Sequence, residues 1–303
     1  MNTNPQPQSL VVGTSGQVGA ALAAVLGENV LPANRLASEN ALQVDLVALA
    51  ERPQLAAELL APLHLSAVYC VGGATDVERC ESDHTWAMQT NCFGPAALAA
   101  ASRDLPFVYF STEYVFDGTD GPYSETSATH AISVYGKSKL EGEQRVLDAH
   151  PNPLIVRTTV VYGPDRQGKN FLYTLRRLLS SGQPMRVPAD QISSPTYNVD
   201  LAHATAELVE LGASGIFNVC GPEIVSRYDF ALQAAEILGL DASRIQPVTT
   251  AELNQKAPRP LRAGMLIDKL RATLHQTSMR TNAEAIADWA QLEQAKVEAA
   301  RQE

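Results

Sequence analysis

The sequence lacks the features that mark secreted, metal-binding and membrane proteins. It contains four cysteines among 303 residues, with neither the close spacing of a zinc site nor the density of a disulfide scaffold. No apolar run approaches the roughly 20 residues needed to span a bilayer. The stretch from Met1 to Gln8 lacks a basic start and an apolar segment, so we interpret it as a loose tail rather than a secretory signal. These absences favour a cytoplasmic protein without a metal site, whose free thiols are Cys70, Cys80, Cys92 and Cys220.

Basic residues are also scarce. The chain has 23 Lys and Arg against 33 Asp and Glu, which gives a formal net charge of -10. Because a protein that follows a phosphate backbone presents a basic face, this balance argues against a nucleic-acid partner. Any anionic ligand must be held by a few local groups. The length allows one large α/β domain with a smaller lobe.

A glycine-rich turn near the N-terminus indicates a nucleotide cofactor. The apolar strand Ser9 to Val12 runs into Gly13-Thr14-Ser15-Gly16-Gln17-Val18-Gly19, and an alanine- and leucine-rich helix follows. A strand, a tight turn and a helix start together bind a pyrophosphate. Gly13 permits the turn, Gly16 lets the backbone approach the phosphates, and Gly19 lets the helix pack closely on the sheet. The predicted cofactor contacts in this turn are Gly13, Ser15, Gly16, Gln17, Val18 and Gly19.

No carboxylate stands where NAD enzymes usually bind the ribose 2′-hydroxyl. The next predicted strand, Asn29 to Ala33, ends at Asn34 and Arg35 instead. Arg35 is suited to pair with a 2′-phosphate and to stack on adenine, which favours NADP and a preference for NADPH over NADH. The alternative is an exposed loop arginine.

Further cofactor contacts are predicted at the ends of the following strands. Gly72 and Gly73 follow the strand Ala67 to Val71, and small residues there leave room for a cofactor against the backbone. Asn91 either holds the catalytic loop by hydrogen bonding or serves as a helix cap or packing residue. The contacts predicted in this part of the chain are Asn34, Arg35, Asp45, Leu46, Val71, Gly72, Gly73 and Asn91.

A phenol and an ammonium four residues apart indicate chemistry at a carbonyl. Tyr135 and Lys139 lie in a predicted helix, Ser133 to Leu147, so their side chains share one face. Because an ammonium favours the phenolate, we expect Lys139 to lower the pKa of Tyr135 from its ordinary value near ~10. Thr112 or Ser111, at the end of an apolar strand, supplies a hydroxyl that polarises the same carbonyl. Together with the glycine turn, this pattern favours a reductase.

The order of predicted elements divides the chain into two parts. Residues 1–160, completed by 192–220, are predicted to form a Rossmann-like, doubly wound parallel sheet that binds NADP. Residues 161–191 and 221–303 are predicted to form a smaller C-terminal α/β lobe that binds substrate. Helices are predicted over Leu49 to Leu60 and over Asn282 to Glu303. The stiff basic loop around Arg259 faces an anionic ligand or is a surface turn.

Taken together, the motifs resemble the extended short-chain dehydrogenase/reductases, and among them the dTDP-4-dehydrorhamnose reductase family. The resemblance covers nearly the whole chain. It rests on Gly13 to Gly19, Ser111-Thr112-Glu113-Tyr114-Val115-Phe116-Asp117-Gly118, Tyr135-Gly136-Lys137-Ser138-Lys139, Ser194-Pro195-Thr196 and Ala257-Pro258-Arg259-Pro260.

The resemblance implies NADPH-dependent reduction of the 4-keto group of a nucleotide-linked 6-deoxy sugar. Tyr135 would protonate the C4 oxygen while the nicotinamide delivers hydride to C4. Thr112 would complete the catalytic set with Lys139, which would also hold the nicotinamide ribose. The C-terminal lobe would close over the sugar nucleotide. The substrate-binding residues implied are Ser111, Glu113, Tyr114, Val160, Asn170 and Arg259.

Three departures from the family pattern fall mostly around the substrate. Glu113 stands where the family has Asp, Val160 lies in place of an expected Trp, and Gly72-Gly73 replaces a pair of alanines. The resemblance therefore specifies the chemistry more firmly than the sugar. Two other functions stay open: a nucleotide-sugar epimerase or dehydratase that recycles its cofactor, and a non-catalytic NADP-binding regulatory subunit similar to that of methionine adenosyltransferase. A homodimer is a candidate assembly.

Overall fold

The computed structural model describes residues 6–299. Most of the predicted tail, Met1 to Pro5, lies outside the described residues. Gln8, predicted to belong to that tail, instead begins the first strand, where its backbone N–H donates to the carbonyl of His64 at 2.9 Å. The predicted helix from Asn282 to Glu303 is described as far as Ala299. Within residues 6–299, no helix is both long and apolar enough to cross a membrane.

Strands and helices alternate along the described chain. The strands are β1 (Gln8–Val12), β2 (Val30–Asn34), β3 (Leu42–Gln43), β4 (Leu65–Cys70), β5 (Phe107–Thr112), β6 (Leu154–Thr158), β7 (Val161–Tyr162), β8 (Met185–Pro188), β9 (Ile192–Ser193), β10 (Thr196–Tyr197), β11 (Gly215–Asn218), β12 (Val225–Ser226) and β13 (Ile245–Val248). The α-helices are α1 (Gln17–Leu26), α2 (Leu46–Glu51), α3 (Gln54–Leu60), α4 (Val77–Ser82), α5 (His84–Met88), α6 (Gly94–Ala101), α7 (Val134–Ala149), α8 (Phe171–Ser180), α9 (Asn198–Glu210), α10 (Arg227–Ile237), α11 (Asp268–Thr273) and α12 (Asn282–Ala299). A π-helical turn, Gln89–Phe93, joins α5 to α6.

Seven strands form one parallel sheet in the order β3-β2-β1-β4-β5-β6-β11. Every neighbouring pair in this sheet is parallel. The chain builds outward from β1 to β3 and then places β4 on the opposite side of β1. A crevice for a ligand opens at such a reversal, outside the carboxyl ends of the strands. The predicted Rossmann-like, doubly wound parallel sheet is confirmed.

Both faces of the sheet are covered, because successive residues of each strand point to opposite sides. In β1, Val11 packs in the core on one face, whereas Leu10 and Val12 pack in the core on the other. β5 repeats the pattern, with Phe110 on the first face and Tyr109 on the second. The four cysteines are buried and free, as predicted. This packing fixes the positions of the residues that follow each strand.

One predicted helix, from Leu49 to Leu60, is broken in two. α2 ends at Glu51 and α3 begins at Gln54, with Pro53 between them. Arg52 has φ and ψ of -135° and 78°, away from the helical region, because the ring of a proline crowds the residue before it. The prediction of one continuous helix is wrong, since Pro53 interrupts the helical backbone.

A third core lies beside the sheet in the C-terminal half of the chain. It is centred on the buried rings of Tyr162, Phe230 and Trp289, to which β7, α10 and α12 contribute. The pairs β8–β13 and β9–β12 also belong to this half. In contrast, α9 packs in the core of the main sheet and β11 forms the edge of that sheet. The division into 1–160 with 192–220, and 161–191 with 221–303, stays a prediction.

Candidate active site

Two adjoining pockets open at the carboxyl ends of β1, β4 and β5, where the strand order reverses. Each has a volume of about 490 Å³, and they share Gly13, Ser15, Gly72 and Gly73. The outer pocket is also lined by Asn34, Arg35, Asp45, Leu46, Trp86 and Thr90. The inner pocket is also lined by Gly16, Gln17, Val18, Gly19, Val71, Ser111, Thr112, Glu113, Tyr114, Tyr135, Lys139, Val160 and Arg227. The structure thus brings together most of the predicted site residues. Asn91, Asn170 and Arg259 line neither pocket.

The glycine turn fits against the sheet with no room for side chains at two positions. Gly13 has a φ of +101°, and a Cβ there would lie 2.7 Å from the backbone nitrogen of Gly72. A Cβ on Gly19 would overlap the carbonyl oxygen of Gly13. Asn34 holds the turn from the next strand: its Oδ1 accepts from the N–H of Ser15 at 2.8 Å, and its Nδ2 donates to Thr14 Oγ1 at 3.0 Å. The turn is therefore rigid and open to a ligand on one side.

The start of α1 fits the diphosphate of a dinucleotide. The helix begins at Gln17, with Gly16 as its N-cap, and no side chain caps its first N–H groups. Uncapped N–H groups, together with the helix dipole, form an anion-binding site. Gly72 and Gly73 add a flat backbone surface beside it. These residues fit the predicted NADP cofactor.

The outer pocket has a basic rim. Arg35 is exposed and lines this pocket. Asp45, the acidic member of the lining, is the N-cap of α2, and its Oδ1 accepts from the N–H of Val47 at 2.9 Å. The guanidinium of Arg35 is therefore placed to meet a phosphate, whereas Asp45 is already engaged by a helix terminus.

Asn91 lies behind the pockets and holds their wall in place. Its Oδ1 accepts from the N–H of Ala74 at 2.7 Å, while its Nδ2 donates to the carbonyl of Ala74 at 3.0 Å and to Ser138 Oγ at 2.9 Å. These bonds join the segment after β4 to α7 through the π-helical turn. Asn91 thus holds the segment after β4 by hydrogen bonding, which is close to one of the two roles predicted for it. Its amide makes these contacts and does not line the pockets of the predicted cofactor site.

Tyr135 and Lys139 are buried side by side on one face of α7. The helix starts where Ser133 Oγ accepts from the N–H of Gly136 at 3.1 Å. Tyr135 is 8% exposed and Lys139 is 3% exposed. The Lys139 ammonium donates to the carbonyl of Phe110 at 2.9 Å. This bond fixes the ammonium at the end of β5.

The pKa of Tyr135 shifts in the opposite direction from the sequence prediction. Burial raises the pKa of Tyr135, with further contributions from Glu113 and Tyr114, and a contact with the Thr112 hydroxyl opposes only part of the rise. Burial also lowers the pKa of Lys139 to about 8. The expectation that Lys139 lowers the pKa of Tyr135 is wrong here, because the ammonium is bonded to a backbone carbonyl and the phenol is desolvated. A firmly protonated phenol remains available as a proton donor.

Thr112 and Glu113 stand next to this phenol. Thr112 Oγ1 donates to Glu113 Oε2 at 3.0 Å, and both residues are buried. Burial raises the pKa of Glu113. The ring of Tyr114 meets the ring of Tyr135 edge-on, with 5.3 Å between centroids. The inner pocket therefore presents the hydroxyl of Thr112, the carboxyl group of Glu113 and the phenol of Tyr114 at the end of β5, next to the phenol of Tyr135 on α7.

Ser111 is engaged by a buried ion pair that the sequence analysis did not identify. Its Oγ donates to Glu143 Oε1 at 2.5 Å. Glu143 is held by Arg157 through bonds of 2.9 Å to Oε1 and 2.6 Å to Oε2. The hydroxyls of Ser111 and Thr112 thus both donate to carboxylates, and Thr112 is the one that also contacts Tyr135. The position of Glu143 on the same helix face could have been predicted, because it lies four residues after Lys139, which lies four residues after Tyr135.

The remaining residues predicted to bind substrate lie at different depths. Val160 lines the inner pocket with a φ of +39°, which is unusual for a β-branched residue. Asn170 lies behind the pocket, and its Nδ2 donates to Gln17 Oε1 at 3.0 Å and to the carbonyl of Gly163 at 2.9 Å. Arg259 pairs with Glu78 at 2.6 Å and donates to the hydroxyl of Tyr114 at 3.3 Å. Arg259 therefore supports the pocket wall from outside.

Side chains also join the glycine turn to the C-terminal half. Gln17 Nε2 donates to the carbonyl of Val161 at 3.1 Å, and Gln167 Nε2 donates to the carbonyl of Ser15 at 3.0 Å. The bond from Asn170 to Gln17 reinforces this connection. The turn is thus bonded directly to the segment that follows Val160 in the pocket wall.

Arg227 is a charged pocket residue that the sequence analysis missed. It is the first residue of α10 and lines the inner pocket together with Glu113, Tyr114 and Val160. A positive charge at the first position of a helix is unfavourable, because that end carries the positive pole of the helix dipole. This unfavourable placement was the signal in the sequence that pointed to a role for Arg227.

Comparisons with known proteins agree with this arrangement. The family model described as RmlD substrate binding domain matches residues 8–294. The dTDP-4-dehydrorhamnose reductase of Mycobacterium tuberculosis is 39% identical over 193 residues, which cover 61% of this chain and 63% of that protein. The dTDP-4-dehydrorhamnose reductase of Aggregatibacter actinomycetemcomitans is 30% identical over 276 residues, which cover 86% of this chain and 91% of that protein. The match thus spans just under two thirds of the mycobacterial relative and nearly all of the second one.

A solved structure shares the same architecture. The crystal structure of dTDP-4-dehydrorhamnose reductase from Bacillus anthracis in complex with NADP superposes with a TM-score of 0.85. The two sequences are 27% identical, and the match covers 94% of this chain and 99% of the other.

Proposed function

This chain belongs to the RmlD substrate binding domain family, and from that premise we propose that it reduces the 4-keto group of a nucleotide-linked 6-deoxy sugar with NADPH. Relatives named dTDP-4-dehydrorhamnose reductase support this substrate class. The similar structure from Bacillus anthracis, solved with NADP, supports the cofactor.

The observation that carries the proposal is the group of Thr112, Tyr135 and Lys139 in one buried pocket beside the glycine turn. NADPH bound along that turn supplies the hydride. Tyr135, whose pKa is raised by burial, gives its proton to the carbonyl oxygen as the C=O bond becomes an alcohol, and then regains a proton from solvent. The Thr112 hydroxyl bonds the same oxygen and orients it. Lys139 holds a positive charge between the end of β5 and the cofactor side of the pocket.

Several residues of this chain would hold NADP without taking part in the chemical step. The uncapped N–H groups of Gln17 and Val18, at the start of α1, would bind the diphosphate. Arg35 would pair with the 2′-phosphate, which supports a preference for NADPH over NADH. Replacing Arg35 by alanine should shrink the ratio of the two affinities, measured by fluorescence titration. Equal affinities in the native protein would contradict this preference.

The direct test follows NADPH absorbance after addition of dTDP-4-dehydrorhamnose. We expect loss of NADPH in step with formation of the reduced sugar nucleotide. A protein that binds NADPH but turns over no keto-sugar nucleotide would contradict the proposal. Product formed without added NADPH, by protein purified with bound oxidised cofactor, would favour an enzyme that recycles its cofactor, such as an epimerase.

A further inference from the structure

Arg227 is a cation inside the inner pocket whose charge is not neutralised by a carboxylate. Within residues 6–299, its buried Nε has no hydrogen-bond partner. Arg227 also takes part in none of the ion pairs formed across the same range. The Arg227 side chain is half-buried, and its guanidinium carbon lies 5.7 Å from the centroid of the Phe171 ring. Partial withdrawal of a cation from water without an anionic partner is costly, so such a group suits a site where a ligand supplies the missing negative charge.

The position of Arg227 in its helix adds a second cost. Ser226 is the N-cap of α10 and accepts from the N–H of Asp229 at 3.0 Å, so Arg227 occupies the first helical position. The helix dipole places partial positive charge at this end. The helix and the guanidinium therefore present the same sign of charge to the pocket, and an anion would be favoured by both.

The neighbouring side chains leave this charge uncompensated. Arg259, a second cation close enough to act on the charge of Arg227, is already paired with Glu78 at 2.6 Å. Glu113 contributes favourable charge to Arg227, but it is bonded by Thr112, and burial raises its pKa. Arg227 is thus the cation in this part of the pocket that remains available to a ligand.

We propose that Arg227 binds an anionic group of the nucleotide sugar and thereby sets substrate specificity. The inference rests on the proposed function, which places the reacting carbonyl at Thr112 and Tyr135. Because Tyr135, Glu113 and Arg227 line the same pocket, a substrate whose carbonyl lies at Tyr135 would bring its remaining groups near this guanidinium. The anion is either the diphosphate next to the sugar or a carboxylate carried by the sugar, and both suit the two-pronged geometry of an arginine.

Calorimetric titration of the NADP-saturated protein tests this role without requiring turnover. The probes are dTDP, UDP and UDP-glucuronate, and the variants are Arg227→Ala, Arg227→Lys and the control Arg52→Ala. Arg52 is exposed and lines neither pocket, so its loss changes the net charge equally. We expect Arg227→Ala to weaken binding by about 10- to 100-fold, Arg227→Lys to weaken it less, and Arg52→Ala to match the native protein.

The pattern across probes identifies the anion. An equal loss for dTDP or UDP and for UDP-glucuronate assigns the diphosphate, whereas a loss confined to UDP-glucuronate assigns a sugar carboxylate. Unchanged affinities for all three probes in Arg227→Ala, or no binding of any probe by the native protein, would overturn the proposal. NADPH affinity and melting temperature show whether Arg227→Ala is correctly folded. If Arg227→Ala is misfolded, the affinities of Arg227→Lys and the native protein are compared instead.

This outcome is separable from that of the proposed function. If the protein binds the diphosphates through Arg227 but does not oxidise NADPH, the proposed role of Arg227 stands and the proposed function is contradicted. If the native protein and Arg227→Ala reduce the keto sugar with the same Michaelis constant, the proposed function stands and the proposed role of Arg227 is contradicted.

Discussion

The two ends of the cleft are built from different parts of the chain. At the cofactor end, backbone atoms form the surface, and Gly13 and Gly19 have no space for even a methyl group. At the reaction end, polar and charged side chains form it: Glu113, Tyr135 and Lys139 are buried, and Arg227 is half-buried. The first end fits the shape that dinucleotides share, and Arg35 at its rim would add the proposed preference for NADPH. The second depends on charge and hydrogen bonding, so it distinguishes one substrate from another.

The largest effect is expected from removing the proton donor at the reaction end. Tyr135→Phe keeps the ring packed against Tyr114 but removes the hydroxyl, so kcat should fall by about 100- to 10,000-fold. Stopped-flow measurement of NADPH oxidation would determine the loss, with NADPH affinity as the control for folding. A variant that keeps more than a tenth of the native kcat would show that another group donates the proton.

The buried ion pair beneath the reaction end should dominate its stability. Arg157→Met leaves the buried Glu143 without its cationic partner and should lower the free energy of unfolding by about 3–5 kcal/mol. Urea denaturation measures this change. The control is Arg145→Met, which breaks a surface pair with Glu141 at 3.0 Å and should cost about 0.5 kcal/mol.

Replacing both members of the buried pair distinguishes a missing partner from lost packing. The double variant Arg157→Met with Glu143→Leu should recover much of the stability lost in Arg157→Met, because no unpaired charge remains. A double variant as unstable as the single one would show that shape, rather than charge, controls this end of the cleft as well.

Two glycines should separate shape from ligand contact at the cofactor end. A Cβ on Gly19 would overlap the carbonyl of Gly13, so Gly19→Ala should lower stability by about 1–3 kcal/mol. A Cβ on Gly16 would lie 3.5 Å from the same oxygen, which is an ordinary contact. Gly16→Ala should therefore keep its melting temperature but weaken NADPH binding. The reverse order of melting temperatures would show that Gly19 does not pack as the structure indicates.

The smallest expected effect is the pH dependence of the reaction end. Burial holds the pKa of Lys139 at about 8, below its ordinary value of 10.5, so the ammonium is present below pH 8 and is lost as the pH rises through that value. The ratio kcat/KM should then fall about tenfold for each further pH unit. Lys139→Arg, which stays charged, should remove this break from the profile. A native profile that stays level to pH 10 would contradict the shift.

The glycine turn and the pair of Tyr135 and Lys139 could be predicted from sequence, because the function of each requires particular residue types at a fixed spacing. Gly13, Gly16 and Gly19 are such a set, and so are Tyr135 and Lys139 on a single helix. Even the broken helix at Pro53 carried a local signal. These features depend on neighbours along the chain, so the fold class and the position of Tyr135 and Lys139 together beside the glycine turn could be predicted without coordinates.

The other features depend on which distant segments meet. Arg227 enters the pocket from a helix far beyond Tyr135 in sequence, and the bond from Ser111 to Glu143 joins a strand to a helix. The direction of the Tyr135 pKa shift depends on burial and on the carbonyl that binds Lys139, and packing alone decides both. A sequence motif identifies the functional side chains but does not show which residues surround them in the fold.

The bonds from Gln17 to Val161 and from Gln167 to Ser15 imply a thermodynamic linkage between the two ligands. An adjustment of the turn around a phosphate would move the wall beside Val160 through these bonds. Because linkage is reciprocal, a sugar nucleotide that gains affinity in the presence of cofactor must raise the cofactor's affinity by the same factor. These two glutamines would thus make the holo and apo forms differ in their capacity for substrate, although neither side chain takes part in the reaction.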